Sequence, residues 1–136
     1  MNNIEQTLSI VKPDAVERNL VEEIKNFFVK NNLTIKDSKK IHISKEEASE
    51  FYKVHQSKPF YNDLCAYLSS GPIYVMILEG ANAVLVNRKI MGATNPKDAE
   101  ENTIRKLYGI SIDKNSVHGS DSVENAKKEI NFFFNI

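Results

Sequence analysis

Three histidines and three arginines are the side chains of this sequence best suited to handling a charged group. His118 stands apart from the other two histidines. An irregular approach, Lys114-Asn115-Ser116, leads into it, and a Gly119-Ser120-Asp121 turn leads out toward a helix start. Gly119 permits close backbone approach, and a helix N-terminus offers unpaired N–H groups beside an imidazole. An imidazole so placed can act as nucleophile or general base; a buried structural histidine is the alternative that position alone leaves open. His42 lies between Ile41 and Ile43, where strand alternation turns it to solvent. His55 ends a helical stretch, where its partial positive charge suits a helix C-terminus.

Only three of the eighteen basic residues are arginine: Arg18, Arg88 and Arg105. A guanidinium fork binds oxyanions through paired N–H groups, whereas a lysine ammonium is a point charge. Arg18 reads as a solvated residue of the first helix. Arg88 shares a helical face with Val84 and Met91, so it needs a partner there. Arg105 falls in a long loop. Taken singly, each is explained as well by a surface ion pair. Lys12, directly before Pro13-Asp14, continues the row of Leu8 and Ile10 and can enter a cleft or snorkel to solvent.

The elements that must position these residues follow from periodicity. Thr7–Val11 alternates as a strand and stops at Pro13, which cannot donate to a ladder. Val16, Leu20, Ile24, Phe27 and Phe28 recur at helical spacing, and Leu33 to Ile43 reads as a second strand. Ser44-Lys45-Glu46-Glu47 is a capping box, opening a helix with Ala48, Phe51 and Tyr52 inward. Phe60 to Leu68 makes another helix. Ile73 to Leu78 is apolar on both parities, as in a sheet covered on both faces. Asn82 caps a helix that runs through Met91 and stops at Gly92. Residues 93–115 form a long, turn-rich segment with a helical piece at Thr103 to Tyr108. A short strand at Val117-His118 precedes a helix that begins in a capping-box-like Asp121-Ser122-Val123-Glu124 and lines up Val123, Ala126, Ile130 and Phe133. With the small helices set aside, the order is βαββαβ. The expected fold is a ferredoxin-like α+β sandwich with a four-stranded antiparallel sheet.

Composition bounds the function. The 136 residues, about 15.5 kDa, suit one domain spanning 1–136. At 41% apolar and 26% charged the chain is ordinary for a globular protein. Eighteen acidic residues cancel the eighteen basic ones, which argues against a general nucleic-acid binder but not against a small basic pocket. A lone cysteine, Cys65, excludes a disulfide framework, a thiolate zinc site and a CxxC pair, and points to a reducing compartment. The first six residues show no secretory pattern, and the longest apolar run, Ile73 to Leu78, is too short to span a bilayer. A soluble, cytoplasmic protein is expected. The five glycines form neither GxGxxG nor GxxxxGK[ST], so any phosphate is handled without a glycine-rich cradle.

Together these segments resemble the nucleoside diphosphate kinase family. The likeness runs through Thr7-Leu8-Ser9-Ile10-Val11-Lys12-Pro13-Asp14, Phe51-Tyr52, Lys58-Pro59-Phe60-Tyr61, Glu79-Gly80-Ala81-Asn82 and Met91-Gly92-Ala93-Thr94-Asn95-Pro96. It continues in Thr103-Ile104-Arg105 and ends in Asn115-Ser116-Val117-His118-Gly119-Ser120-Asp121-Ser122, similar to the family's signature around a phosphorylated histidine. The resemblance implies ping-pong transfer of a γ-phosphoryl group from a nucleoside triphosphate to His118 and then to a nucleoside diphosphate. It implies that Lys12 and Tyr52 meet the transferring phosphoryl, that Arg88, Thr94 and Arg105 hold the inner phosphates, and that Asn115 holds the sugar hydroxyls. Glu129, helped by Ser120, would set the tautomer of His118. Phe60 would stack on the base, with Ile112 on its other face. Mg²⁺ would arrive with the nucleotide rather than in a protein cage, and the subunits would form tetramers or hexamers built from dimers.

In that picture the three adjacent phenylalanines, Phe132 to Phe134, and the doubly apolar strand are expected to pack partly against another subunit. Asn102 stands where the family usually has glycine, and Asn19 and Glu22 stand in a stretch where glycines are common; asparagine tolerates a positive φ. Two other readings use the same fold: a non-catalytic nucleotide-binding or interaction module, and a protein phosphocarrier.

Overall fold

Leu8 and Ile10 point to one side of the first strand and Val11 to the other, and this alternation divides the interior into two apolar clusters. The computed structural model describes residues 4–53, 56–59, 61–111 and 114–135. In it, β1 (Ile4–Val11), β2 (Thr34–Ile41), β3 (Ile73–Ala81) and β4 (Val117–Gly119) form one sheet in the order β2-β3-β1-β4, with every neighbouring pair antiparallel. This is the expected ferredoxin-like arrangement. A bulge between Ile35 and Asp37 interrupts the β2–β3 ladder.

The helices are α1 (Pro13–Glu17), α2 (Val21–Lys30), α3 (Lys45–Phe51), α4 (Tyr61–Leu68), α5 (Ala83–Met91), α6 (Ile104–Tyr108) and α7 (Val123–Phe134). One face of the sheet buries Leu8, Ile10, Val75 and Ile77 against Ala48, Tyr52, Leu68, Ile130 and Phe133 of α3, α4 and α7. The other buries Val11, Met76 and Leu78 against Ile24 and Phe28 of α2, Ile90 and Met91 of α5, and Ile104 of α6. β3 is therefore apolar on both parities because helices of its own chain cover both faces, so the strand itself gives no reason to invoke another subunit.

Three local expectations change. The first helix is two helices, α1 and α2, because Asn19 takes the left-handed region at φ 60° and a helix cannot continue through it. Asn82 begins α5 at φ 53° with no side-chain cap bond. At α7 the N-cap is Ser122, which accepts from the Asn125 N–H at 3.1 Å; its third helical residue is Asn125, so no glutamate completes a box. The box at α3 is complete in both directions, with Ser44 Oγ accepting from Glu47 N–H at 3.1 Å and Glu47 Oε1 accepting from Ser44 N–H at 3.0 Å. Asn102 adopts φ 64°, a region that asparagine tolerates.

Phe133 is buried, and Phe132 and Phe134 are half-buried against the same cluster. Lys39 holds this end of α7, donating to the Phe133 carbonyl and lying 4.8 Å from the Phe134 ring centre. All three phenylalanines thus find contacts within the chain.

Candidate active site

Antiparallel pairing sets His118 opposite Ile10, so the imidazole falls on the face covered by α3 and α7. α7 then brings Glu129 back across it. His118 Nε2 lies 3.0 Å from Glu129 Oε1, and Ser120 Oγ donates to the same oxygen at 2.8 Å. A carboxylate only accepts, so Nε2 carries the ring proton and the lone pair is on Nδ1. Ser120 is itself pinned to β1, accepting from Leu8 N–H at 3.3 Å and donating its own N–H to Leu8 O at 3.2 Å. The side chains of His118 and Glu129 remain 22% and 20% exposed, enough for a ligand to reach the ring.

Two aromatic residues of α3 and its C-cap frame the imidazole. The Phe51 ring meets it edge-on at 5.3 Å between centres, and the Tyr52 ring at 6.5 Å. Tyr52 is buried; burial first, and then the Glu129 carboxylate, push its phenol pKa up, so it remains an O–H donor. The capping box that starts α3 gives both residues their place.

The cations arrive from the other direction. Lys12 follows β1, donates its backbone N–H to Ser116 O at 2.8 Å, and is buried. Its Nζ donates to Asn115 Oδ1 at 2.9 Å, and Asn115 Nδ2 donates to Thr94 O at 3.1 Å. The Lys12 side chain therefore enters the site rather than snorkelling to solvent. Arg105, on α6, is 8% exposed and donates to Gly92 O at 3.0 Å and to Val117 O at 2.9 Å, beside His118. Burial, and then the neighbouring Arg88 guanidinium, lower its pKa to about 10. It still carries its charge at neutral pH. A cleft of about 680 Å³ opens here, lined by Arg88, Thr94, Thr103 and Arg105 with Leu85 and Met91. His118 is outside this lining, and Arg105 links the two regions.

The structure corrects two arginines. Arg88 is not buried on the apolar face: it is exposed, and Asn87 takes the buried position on α5. Arg18 is not simply solvated, since it pairs with Asp14 at 3.1 Å and also reaches the carbonyl of Tyr108. His42 is exposed, as alternation requires, with Nε2 2.8 Å from Ser69 O. His55, Phe60 and Ile112 lie outside the described residues. The reading by sequence missed the contact of Phe51 with the imidazole and the bond from Lys12 to Asn115. The inward spacing of Phe51 was visible, but its partner across the sheet was not.

An imidazole with its lone pair on Nδ1, a buried lysine, and two arginines that line one cleft are groups chemically able to bind an anion and to accept one on nitrogen. The family model described as nucleoside diphosphate kinase matches residues 5–136. Nucleoside diphosphate kinases of Nitratiruptor sp. and of Campylobacter fetus subsp. fetus are each 56% identical over 131 residues, covering 96% of this chain and 96% of the relative. The crystal structure of the Aquifex aeolicus nucleoside diphosphate kinase superposes with a TM-score of 0.95 at 40% identity, covering 97% of this chain and 96% of that one. That of Encephalitozoon cuniculi gives 0.93 at 38% identity over 96% of this chain and 88% of the other. The chain belongs to the nucleoside diphosphate kinase family. It is an enzyme of that kind, a kinase acting on nucleotides, and among the described residues no helix is long and apolar enough to cross a membrane.

Proposed function

We propose that residues 1–136 act as one catalytic unit that moves the γ-phosphoryl group of a nucleoside triphosphate to a nucleoside diphosphate through His118. The observation that carries this reading is the 3.0 Å contact of Nε2 with Glu129 Oε1, which leaves Nδ1 as the nucleophile. In the first half-reaction the Nδ1 lone pair forms a P–N bond as the bond from the γ-phosphorus to its bridging oxygen breaks, and the diphosphate leaves with that electron pair. The positive charge gained by the ring is offset by Glu129. In the second, a terminal oxygen of the acceptor's β-phosphate attacks the phosphorus, the P–N bond breaks, and the lone pair returns to Nδ1.

Catalysis of so loose a transition state is mostly positioning and charge stabilisation. Lys12 and Tyr52 donate to the transferring group, and Arg88, Thr94 and Arg105 to the inner phosphates. Two guanidinium groups facing one cleft favour an anion between them. Asn115 takes the sugar hydroxyls with its second amide N–H and remaining lone pair, since Lys12 and Thr94 O occupy the others. The assignment of the base to Phe60 and Ile112 rests on the family resemblance alone. Among the described residues no group of three or more His, Cys, Asp or Glu is placed to hold a metal ion. The family resemblance supports Mg²⁺ arriving with the substrate, bound to its phosphate oxygens and neutralising their charge. The resemblance also supports a cytoplasmic homo-oligomer, a tetramer or hexamer.

The test is to mix the protein with γ-labelled ATP and Mg²⁺ and then add unlabelled GDP. Acid-labile, alkali-stable label is expected on the wild-type protein and should pass to GTP. His118→Ala should take no label while its nucleotide Kd stays within about threefold. Label that ignores GDP would favour a phosphocarrier. A protein that binds nucleotide but takes no label would be a binding module.

A further inference from the structure

The backbone of Ser116 gives Asp14 a task that nucleotide binding does not explain. Among the described residues six non-glycine residues have positive φ: Asn19, Asn32, Asn82, Asn102, Asn135 and Ser116. Asparagine enters that region readily; serine, at φ 76° here, does so much less. Ser116 is also fully buried and joins Asn115 to Val117-His118. Such a conformation persists only where its surroundings over-determine it.

The Val117 N–H donates to Asn115 O at 2.9 Å across Ser116, and groups outside this turn hold it as well. Ser116 Oγ donates to Asp14 Oδ2 at 3.2 Å, and Ser116 O accepts from Lys12 N–H at 2.8 Å. Asp14 is 5% exposed and fixed in turn: its Oδ1 accepts from the Tyr67 hydroxyl and its Oδ2 from Arg18 at 3.1 Å. Tyr67 also accepts from the Asp14 backbone N–H at 2.9 Å. Burial and the Asp14 carboxylate raise the Tyr67 phenol pKa, keeping it a donor. Arg18 extends to Ser116 Oγ at 3.4 Å. Asp14 and Arg18 line a separate cleft from that of Arg88 and Arg105, so neither is placed to touch the inner phosphates.

We propose that Asp14 is a positioning residue: its carboxylate locks Ser116 in the left-handed region and thereby sets His118 and Asn115 at their working distance from Lys12. The proposal rests on the reading of His118 as the phosphoryl acceptor. Its physical basis is geometric, because a displacement of about 1 Å at reacting groups costs on the order of a hundredfold in rate.

The test compares Ser116→Ala with Ser116→Gly by the single-turnover rate of His118 labelling from ATP and Mg²⁺, alongside nucleotide Kd. Alanine removes the hydroxyl and keeps the Cβ that disfavours positive φ; glycine removes both. Ser116→Ala should label about tenfold slower or worse with Kd within about threefold, and Ser116→Gly should be the faster of the two. Asp14→Asn should resemble Ser116→Ala, and the double variant Asp14→Asn with Ser116→Gly should be slowed by less than the product of the single effects. Should Asp14→Asn fail to fold, the Ser116 pair decides alone. Wild-type labelling rate in Ser116→Ala, or glycine slower than alanine, would overturn the positioning role and leave the His118 reading intact. Wild-type protein that takes no label would overturn both.

Discussion

Arg105 is buried as a cation beside a second cation, Arg88, in a cleft that Asp98 and Glu100 also line, and in the proposed function a bound phosphate relieves that repulsion. The sign of its pH dependence follows. Its folded pKa, about 10, lies below the ordinary value, so the unfolded chain holds that proton more tightly. The destabilising effect of the buried charge is therefore present at neutral pH and lifts as the pH rises through about 10. Phosphate binding runs the other way, because only the protonated guanidinium attracts the anion. The affinity that Arg105 confers should hold from about pH 6 to about pH 9 and fall beyond it. Nucleotide Kd measured against pH for the wild type and Arg105→Ala checks this: the gap between them should be constant at first and close as the pH passes about 10. At the same scale, the types of residue at the site were legible in the chain, but their states were not. Lys12 could equally have faced water, and its partner Asn115 stands 103 positions away.

Between elements, α5 packs closely on β4, and in the proposed function that approach lets Arg88 and His118 serve one substrate. Gly119 makes that approach possible. A Cβ there would press on the Asn87 amide nitrogen and come within 2.8 Å of the Met91 Cε and Sδ atoms. Gly119→Ala should therefore push α5 off the strand and lower stability by about 1–3 kcal/mol, read from the urea midpoint, with slower labelling of His118. Single elements were readable to the extent that their signals are local. The capping box of α3 appears as written, and the helical piece and turns of residues 93–115 are found as α6 and a short 3-10 helix at Pro96–Asp98. The break between α1 and α2 was not read, although Asn19 carried the signal. An asparagine within an apolar helical period is ambiguous until its φ is known.

For the molecule as a whole, α7 does two things at once: it closes one apolar cluster and carries Glu129 to His118. Phe133 fastens it, with its ring 5.0 Å from that of Phe51, which in turn lies against the imidazole. Phe133→Ala should cost about 3–5 kcal/mol of unfolding free energy, measured by denaturant titration, and slow phosphorylation more than any exposed substitution on α7. The strand alternation, the two-sided burial of β3 and the family membership were all determined by the sequence itself, because nearest-neighbour periodicity and contiguous motifs carry them. The exposure of Arg88, the burial of Arg105, the tautomer of His118 and the fixing of Ser116 by Asp14 were decided only by the tertiary structure. The last three depend on a partner brought across the sheet or from a distant loop, and at such a position the balance between hydration and a hydrogen bond is set by packing rather than by the residue's own neighbours in the chain.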